Sequence, residues 1–216
     1  MKVYRLPERC GAILFDMDST LYSNTEYEKA QFDLPVMRLA LLQGKPFELM
    51  SGEIADYRKN WAAGHNGQTI SLGNTFKAFG VSIEESIRWR EELYMPGQYL
   101  SRDEKLHAAL KRLSSRFTLA VVTNNPVSVA VRTLCALGVN GFFNIIVGLD
   151  TCGVSKPHEE PFMRAAILCG AVPESCVAVG DRYDIDIALP LELGMGGILV
   201  DGVEDVYKLP ELFMRG

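Results

Sequence analysis

The sequence is poor in the features that mark membrane, secreted and nucleic-acid-binding proteins. None of its apolar runs approaches the roughly 18 residues that suggest a membrane span. Residues 1–10 carry charges and a proline where an export signal needs an uninterrupted apolar stretch. Acidic residues outnumber basic ones by 27 to 22, and the net charge of −5 offers no attraction to a polyanion. These absences argue against a membrane or a nucleic-acid polymer as partner.

The five cysteines lack the spacing of a metal or redox site. They are odd in number and widely scattered, and no Cys-x-x-Cys pair occurs. We interpret them as reduced thiols, which predicts a cytoplasmic protein. Cys135, Cys169 and Cys176 stand among apolar neighbours and are expected in the core, because buried cysteine behaves as a small hydrophobic residue.

What the chain does have is the composition of an ordinary folded protein. Of its 216 residues, 48% are hydrophobic and 23% are charged, which excludes a disordered or low-complexity chain. The length indicates one domain, or one domain that carries a sizeable insertion.

Five short apolar runs predict the strands of a parallel sheet. They show no polar alternation, as expected of strands that helices cover on both faces. The runs are 11–15, 117–122, 142–147, 176–179 and 197–200, and helical patterns at 127–137, 159–169 and 184–193 separate the last four. This alternation predicts an α/β fold with a Rossmann-like, doubly wound parallel sheet, whose ligands bind beyond the C-terminal ends of the strands.

One long interval, 23–95, breaks this alternation. It contains no strand candidate, and its amphipathic helical patterns cover about 25–43, 46–63, 69–79 and 83–94. We therefore predict an all-helical cap subdomain at 23–95 and a catalytic core formed by 1–22 and 96–216.

Polar residues follow the apolar runs at the points where the strands should end. Asp16 and Asp18 follow the first run, Thr123 the second and Asp181 the fourth, while Lys156 begins a helix. Parallel strands end at one edge, so we expect these side chains in one cleft. Carboxylates that share a cleft repel one another and need a cation, and Mg²⁺ prefers oxygen ligands together with a substrate phosphate. The sequence predicts a magnesium-dependent phosphate site.

The Asp-x-Asp spacing predicts a division of labour within this cleft. Asp16 is placed as a nucleophile that forms an aspartyl-phosphate, and Asp18 as the acid for the leaving oxygen and then the base for water. Thr123 and the backbone N–H groups after it would bind the phosphate, and Lys156 would offset its charge. Thr20 and Asn124 adjoin these residues, and we expect them to contact the substrate.

The four motifs resemble the signatures of the haloacid dehalogenase-like hydrolase superfamily. In order, they are Asp16-x-Asp18-x-Thr20, Thr123, Lys156-Pro157 and Gly180-Asp181-x4-Asp186. The resemblance covers nearly the whole chain, because the helical insertion also matches the position of that superfamily's cap. It implies the same catalytic roles, with the metal held by Asp16, the carbonyl of Asp18, Asp181 and one further carboxylate. Asp184 or Asp186 can supply that carboxylate, and the Asp-Ile sequence at 186–187 favours Asp186.

The second aspartate of the first motif separates reaction types within the superfamily. Haloalkanoate dehalogenases typically lack it, because a halide leaves without a proton whereas an alkoxide needs one. The resemblance thus implies a phosphatase acting on a small phosphorylated metabolite. A phosphomutase or phosphotransferase acting on a sugar phosphate is the alternative, and a dehalogenase or a non-catalytic binding module is less favoured. The first motif is also similar to that of phosphoserine phosphatases, but the fourth differs, so their specificity is not transferred.

Cap residues that face the cleft are expected to choose the substrate. Tyr22, Arg58, His65 and Asn66 are the candidates. Arg182, beside the metal-site motif, could contact phosphate or pair with Asp184 and hold the loop, and we favour the pairing. The sequence leaves open which metabolite is bound and whether the protein is a monomer or a homodimer.

Overall fold

The computed structural model of the protein describes residues 1–213. Within this range a single six-stranded sheet is formed by β1 (Lys2–Arg5), β2 (Ala12–Phe15), β3 (Thr118–Val122), β4 (Ile145–Val147), β5 (Cys176–Gly180) and β6 (Gly196–Leu199). The spatial order is β1-β6-β5-β2-β3-β4. All neighbouring pairs are parallel except β1 with β6.

The helices of the described residues cover both faces of the sheet and fill the interval after β2. They are α1 (Thr25–Leu42), α2 (Phe47–Gly64), α3 (Leu72–Ala78), α4 (Ile83–Leu93), α5 (Glu104–Ser114), α6 (Val127–Ala136), α7 (Leu149–Cys152), α8 (Glu159–Leu168), α9 (Ala188–Glu192), α10 (Val203–Val206) and α11 (Leu209–Phe213). The predicted α/β fold with a doubly wound, largely parallel core is confirmed. None of these helices combines the length and the apolar character needed to cross a membrane.

The central strand β2 is buried along its whole length because side chains from both of its faces enter hydrophobic cores. Ile13 and Phe15 join the cluster under α5 and α6, whereas Ala12 and Leu14 join the cluster under α8. Such a strand reads as a continuous apolar run, and this is why the sequence pattern revealed it.

Helices α1 to α4 occupy the interval predicted as a cap and share a hydrophobic cluster of their own. Met50, Ile54 and Phe76 are fully buried in it, and Trp89 is 3% exposed. Their burial accounts for the apolar stripes of the four helical patterns. The division of the chain into a core and a cap at 23–95 stays a prediction.

Three details of the fold differ from the sequence-based expectation. Strand β1 was not predicted, because its residues are mostly exposed at the sheet edge and form no apolar run. The helix predicted at 184–193 begins as one turn of π-helix, Tyr183–Ile187, before α9. Cys135 is exposed, so its expected core position is wrong, whereas Cys176 is buried.

A close approach at the end of β5 requires glycine. A Cβ atom built on Gly180 would lie 2.4 Å from the Cβ of Asp186, a distance that real side chains do not tolerate. Gly180 thus allows the π-helical turn to fold back against the strand end and brings Asp186 to the edge of the sheet.

Replacement of Gly180 by alanine should therefore destabilise the protein. Overpacking costs about 1–3 kcal/mol, so we expect the melting temperature of Gly180→Ala to fall by roughly 3–9 °C in a calorimetric scan. Gly11→Ala is the matched control, because its Cβ would meet its nearest neighbour at an ordinary 3.5 Å. Equal melting temperatures for the two variants would contradict the argument.

Candidate active site

The C-terminal ends of three adjacent strands bring the predicted motif residues to one edge of the sheet. Strand β2 lies between β3 and β5. The chain passes from these strands directly into Asp16, Thr123 and Asp181, and the loop before α8 carries Lys156. Residues more than a hundred positions apart in sequence therefore share one cleft.

Lys156 is the central cation of this cleft. It is 2% exposed, and its Nζ donates to Asp16 Oδ1 and to Asp186 Oδ1, both at 2.6 Å. Burial lowers the pKa of Lys156, but the two carboxylates outweigh this effect and hold it above its ordinary value. Lys156 is thus a charged ammonium that joins two strand ends.

Three carboxylates nevertheless crowd around this single ammonium. Each of Asp16, Asp181 and Asp186 has an oxygen within 4.8 Å of an oxygen of the other two. Burial and the charges of Asp16 and Asp186 raise the pKa of Asp181 to about 7. Burial also raises the pKa of Asp186, although Lys156 opposes it. The cluster carries more negative charge than Lys156 neutralises.

This donor set fits a hard divalent cation. All three groups offer carboxylate oxygens at one point, and oxygen ligands are those that Mg²⁺ prefers. Asp184 is not part of the cluster. Its Oδ2 accepts instead from the backbone N–H and the hydroxyl of Thr69, at 3.0 and 2.8 Å.

The carboxylate of Asp18 has a separate environment of neutral donors. Its Oδ1 accepts from the Tyr22 hydroxyl at 2.5 Å and from the Gln31 amide at 3.0 Å, and its Oδ2 accepts from the Asn125 amide at 2.9 Å. Burial and the charge of Asp18 hold the pKa of Tyr22 well above its ordinary value, so this hydroxyl stays a donor. These contacts orient the Asp18 carboxylate.

The loop after β3 is held from two sides. The amide side chain of Asn124 accepts from the Lys156 N–H at 2.7 Å and donates to the Lys156 carbonyl at 3.3 Å. From the other side, Arg90 of α4 donates to the Asn124 carbonyl and, at 3.4 Å, to Asn125 Oδ1. The N–H of Asn125 donates to Thr123 Oγ1 at 3.1 Å. The backbone around Thr123 is therefore fixed before any ligand binds.

A cavity of about 270 Å³ opens above Asp18, between helices α1 to α4 and the sheet edge. Its lining includes residues from both sides: Asp18, Glu28, Gln31, Phe32, Arg58, Ser71, Leu72, Arg90, Tyr94, Asn124, Asn125 and Arg182. Its volume is near the lower limit of small-molecule sites, which run from roughly 300 to 1,000 Å³. The cavity suits a compact ligand.

The segment before α3 closes against the sheet edge beside this cavity. In addition to the Thr69 contacts with Asp184, the hydroxyls of Ser71 and Ser155 lie 3.1 Å apart. Arg182 makes no ion pair with Asp184 within the described residues, so the expected pairing is wrong. Thr69 occupies the carboxylate that Arg182 was expected to bind.

Comparison with known proteins agrees with this geometry. A model of the haloacid dehalogenase-like hydrolase family matches residues 10–193, most of the chain and all four motifs. The chain belongs to the haloacid dehalogenase-like hydrolases.

Relatives and solved structures place this hydrolase near phosphatases. It is 36% identical over 177 residues to a phosphoglycolate phosphatase of Aquifex aeolicus, covering 81% of this chain and 77% of that one. It is 38% identical over 196 residues to a glyceraldehyde 3-phosphate phosphatase of Methanopyrus kandleri, covering 85% and 81%. The crystal structure of a HAD phosphatase from Thermococcus onnurineus matches its fold with a TM-score of 0.64 at 17% identity, covering 94% and 98%. The predicted assignment to the phosphatase branch of the superfamily is confirmed.

The structure brings only some of the predicted substrate contacts to the cavity. Arg58 lines the cavity, as expected of a cap residue that faces the cleft. Tyr22 contacts Asp18 but is buried beside it rather than in the cavity wall. Thr20 is fully buried and donates to Asp16 Oδ2 at 3.3 Å, so it supports Asp16 rather than facing a substrate. Asn124 lines the cavity, although its amide is occupied by Lys156.

His65 and Asn66 are not brought to the cavity, which corrects the expectation that they contact substrate. Both are exposed just beyond the end of α2. The His65 ring stacks on Trp61 with the ring centroids 3.8 Å apart, and its Nδ1 lies 2.8 Å from the Trp61 carbonyl. Local stacking on its own helix holds this histidine away from the cleft.

Sequence reasoning missed Gln31, Arg90 and Asn125 as cleft residues. Asn125 stood beside the second motif, and its position one residue after Asn124 was the available signal. Gln31 and Arg90 lie within cap helices, where a polar residue ordinarily indicates a solvated face. Only the packing of α1 and α4 beside the sheet edge brings these two side chains to the cleft.

The raised pKa of Asp181 predicts a pH-dependent stability for the metal-free hydrolase. The folded state holds this proton more tightly than the unfolded state, whose value is 3.8, so stability is lost as pH rises from about 4 to about 7. Asp181→Asn removes the buried charge. In the presence of a chelator, its melting temperature should exceed that of the wild type by about 4 °C at pH 8, with a gain that shrinks towards pH 4.

Asp56→Asn is the control for this measurement, because Asp56 is exposed on α2 away from the cleft. It should leave the melting temperature unchanged across the same pH range. A gain for Asp181→Asn that is independent of pH would contradict the assigned cause.

Proposed function

We propose that this phosphatase hydrolyses the phosphate monoester of a small metabolite with the help of Mg²⁺ and through an aspartyl-phosphate on Asp16. The observation that carries the proposal is the contrast between its two motif aspartates. Asp16 is ion-paired with Lys156 beside two further carboxylates, whereas Asp18, two residues on, is held by neutral donors at the cavity. In this proposal Asp16 is the nucleophile, and Asp18 transfers the proton.

In the first step, a carboxylate oxygen of Asp16 attacks phosphorus and the bond to the leaving oxygen breaks. Lys156 orients the Asp16 carboxylate through its 2.6 Å contact. Thr123 and the N–H groups of its loop would bind the non-bridging oxygens, because Arg90 and Lys156 hold that loop in place. Asp18, in its protonated form, gives its proton to the departing alkoxide.

In the second step, Asp18 acts in the opposite sense. Its carboxylate removes a proton from water, the water oxygen attacks the phosphorus of the aspartyl-phosphate, and the bond to Asp16 breaks to release phosphate. The amides of Gln31 and Asn125 hold the Asp18 carboxylate in position for this step. The same residue thus serves both half-reactions.

Asp16, Asp181 and Asp186 would hold the metal, together with the Asp18 carbonyl. The carboxylate oxygens of the three aspartates are already gathered within 4.8 Å. Bound Mg²⁺ would supply positive charge that offsets these carboxylates and the incoming phosphate. Asp186 rather than Asp184 is the outer carboxylate of this proposal.

A compact phosphorylated metabolite fits the proposal best. The relatives are named for two- and three-carbon phosphates, and the cavity of about 270 Å³ is small. No contact in the cleft specifically favours a phosphomutase, a dehalogenase or a non-catalytic module. A cytoplasmic location stays a prediction. The choice between monomer and homodimer stays open.

Burst kinetics test the two aspartates separately. With an aryl phosphate, whose leaving group needs no acid, Asp18→Asn should release about one equivalent of phenol per enzyme and then turn over roughly 10²–10⁴-fold more slowly than wild type. Asp16→Asn should give neither burst nor turnover, because no phosphoenzyme forms. The exposed Asp56→Asn is the control and should match wild type. A burst from Asp16→Asn would refute the nucleophile assignment.

Removal of the metal is a further test. Dialysis against a chelator should abolish steady-state turnover of the aryl phosphate, and added Mg²⁺ should restore it. Circular dichroism recorded in parallel should remain that of a folded protein. Full turnover in the chelated sample would exclude the proposed metal role.

A further inference from the structure

Three arginines line the cavity above Asp18, although the chain as a whole is acidic. Arg58 comes from α2, Arg90 from α4, and Arg182 from the segment after β5. Among residues 1–213, none of them has a carboxylate oxygen within 4.0 Å; the side-chain ion pairs of the structure involve other residues. Three guanidinium groups that form no direct ion pair thus line one small cavity. Burial lowers the pKa of Arg182, but the more distant charges of four carboxylates outweigh this effect: Asp186, Asp16, Asp181 and Asp184.

The three arginines are not equivalent. Arg90 is 5% exposed and is committed to the Asn124–Asn125 loop, which it helps to hold. Arg58 uses only one of its five N–H donors, in a 3.2 Å bond to the carbonyl of Ile70. The side chain of Arg182 makes no hydrogen bond within the described residues. Arg58 and Arg182 are therefore the pair with donors available to a ligand.

Arg58 of α2 and Arg182 after β5 line the same cavity. Burial and the charge of Arg182 lower the pKa of Arg58, so the two groups repel each other. An anion that contacts both would offset this repulsion and satisfy the unused donors.

The carboxylates that share the cavity already have other partners. Glu28 accepts from the Ser19 hydroxyl at 3.0 Å. Asp18 accepts from Tyr22, Gln31 and Asn125. Neither forms an ion pair with an arginine, so the unused N–H donors of Arg58 and Arg182 remain for a ligand from outside.

We propose that Arg58 and Arg182 form a second anion subsite, which binds a carboxylate of the same small molecule whose phosphate reaches Asp16. This inference rests on the proposed phosphatase function and narrows its substrate to a phosphorylated hydroxy acid. A planar guanidinium binds a carboxylate through two parallel hydrogen bonds. A cavity of about 270 Å³ suits a molecule whose carboxylate and phosphate are separated by only a few carbons.

The proposal distinguishes between the two relatives by their chemistry. Phosphoglycolate carries a carboxylate next to its phosphate-bearing carbon, whereas glyceraldehyde 3-phosphate carries an uncharged aldehyde and hydroxyl. The arginine pair favours the acid. A bisphosphate, which carries a second phosphate in place of the carboxylate, is the alternative that the titration tests.

The test compares ligands of one skeleton, 3-phosphoglycerate and glycerol 1-phosphate, with the Mg²⁺-loaded enzyme. Wild type should have a roughly 10- to 100-fold higher kcat/KM for the acid. Arg58→Met and Arg182→Met should each remove most of this preference through KM, so that the ratio of kcat/KM between the two ligands approaches one. Arg58→Lys should keep part of it. Arg88→Met, an exposed position on α4 outside the cavity, is the matched control and should behave as wild type.

The same ligands are titrated calorimetrically into the Asp16→Asn protein, with and without Arg58→Met, so that binding is tested independently of turnover. Tighter binding of 3-phosphoglycerate that Arg58→Met abolishes supports the subsite. No preference for the acid, or equal weakening of both ligands, overturns it. Tighter binding of a bisphosphate than of 3-phosphoglycerate also overturns the carboxylate assignment. If aryl phosphate is not hydrolysed by wild type, the proposed function fails whatever the titration shows.

Discussion

The Lys156 ammonium is the interaction on which the rest of the cleft depends. Without it, Asp16, Asp181 and Asp186 would bring three carboxylates to one sheet edge with only the more distant charge of Arg182 to offset them. Lys156 relieves this repulsion only in part, as the raised pKa of Asp181 indicates. The unrelieved repulsion is the basis of the cation site that we propose.

Helices α1 to α4 complete this arrangement on the other side of the cavity. Gln31 of α1 donates to Asp18, and Arg90 of α4 donates to the Asn124 carbonyl. Arg58 of α2 lines the cavity. Its positive charge belongs to the second anion subsite that we propose. The segment before α3 contacts the sheet edge through polar bonds such as those between Thr69 and Asp184.

Much of the fold could be predicted because its core strands are buried on both faces and therefore apolar throughout. The edge strand β1 was not predicted, because an exposed edge strand needs no apolar run. In the site, the residues at strand ends could be predicted to converge from topology alone. The structure also separates Asp186 from Asp184, which spacing in the sequence left open. The cap residues could not be foreseen, because the direction in which a helix presents a polar side chain depends on packing between distant segments.

We propose that the phosphoryl group is transferred first to Asp16 and then to water. The most direct measurement is the stereochemical course at phosphorus, followed with a phosphate ester made chiral by oxygen isotopes or by sulfur. Two successive in-line displacements, one by Asp16 and one by water, predict overall retention of configuration. Inversion would show that water attacks the substrate directly, and it would contradict the account.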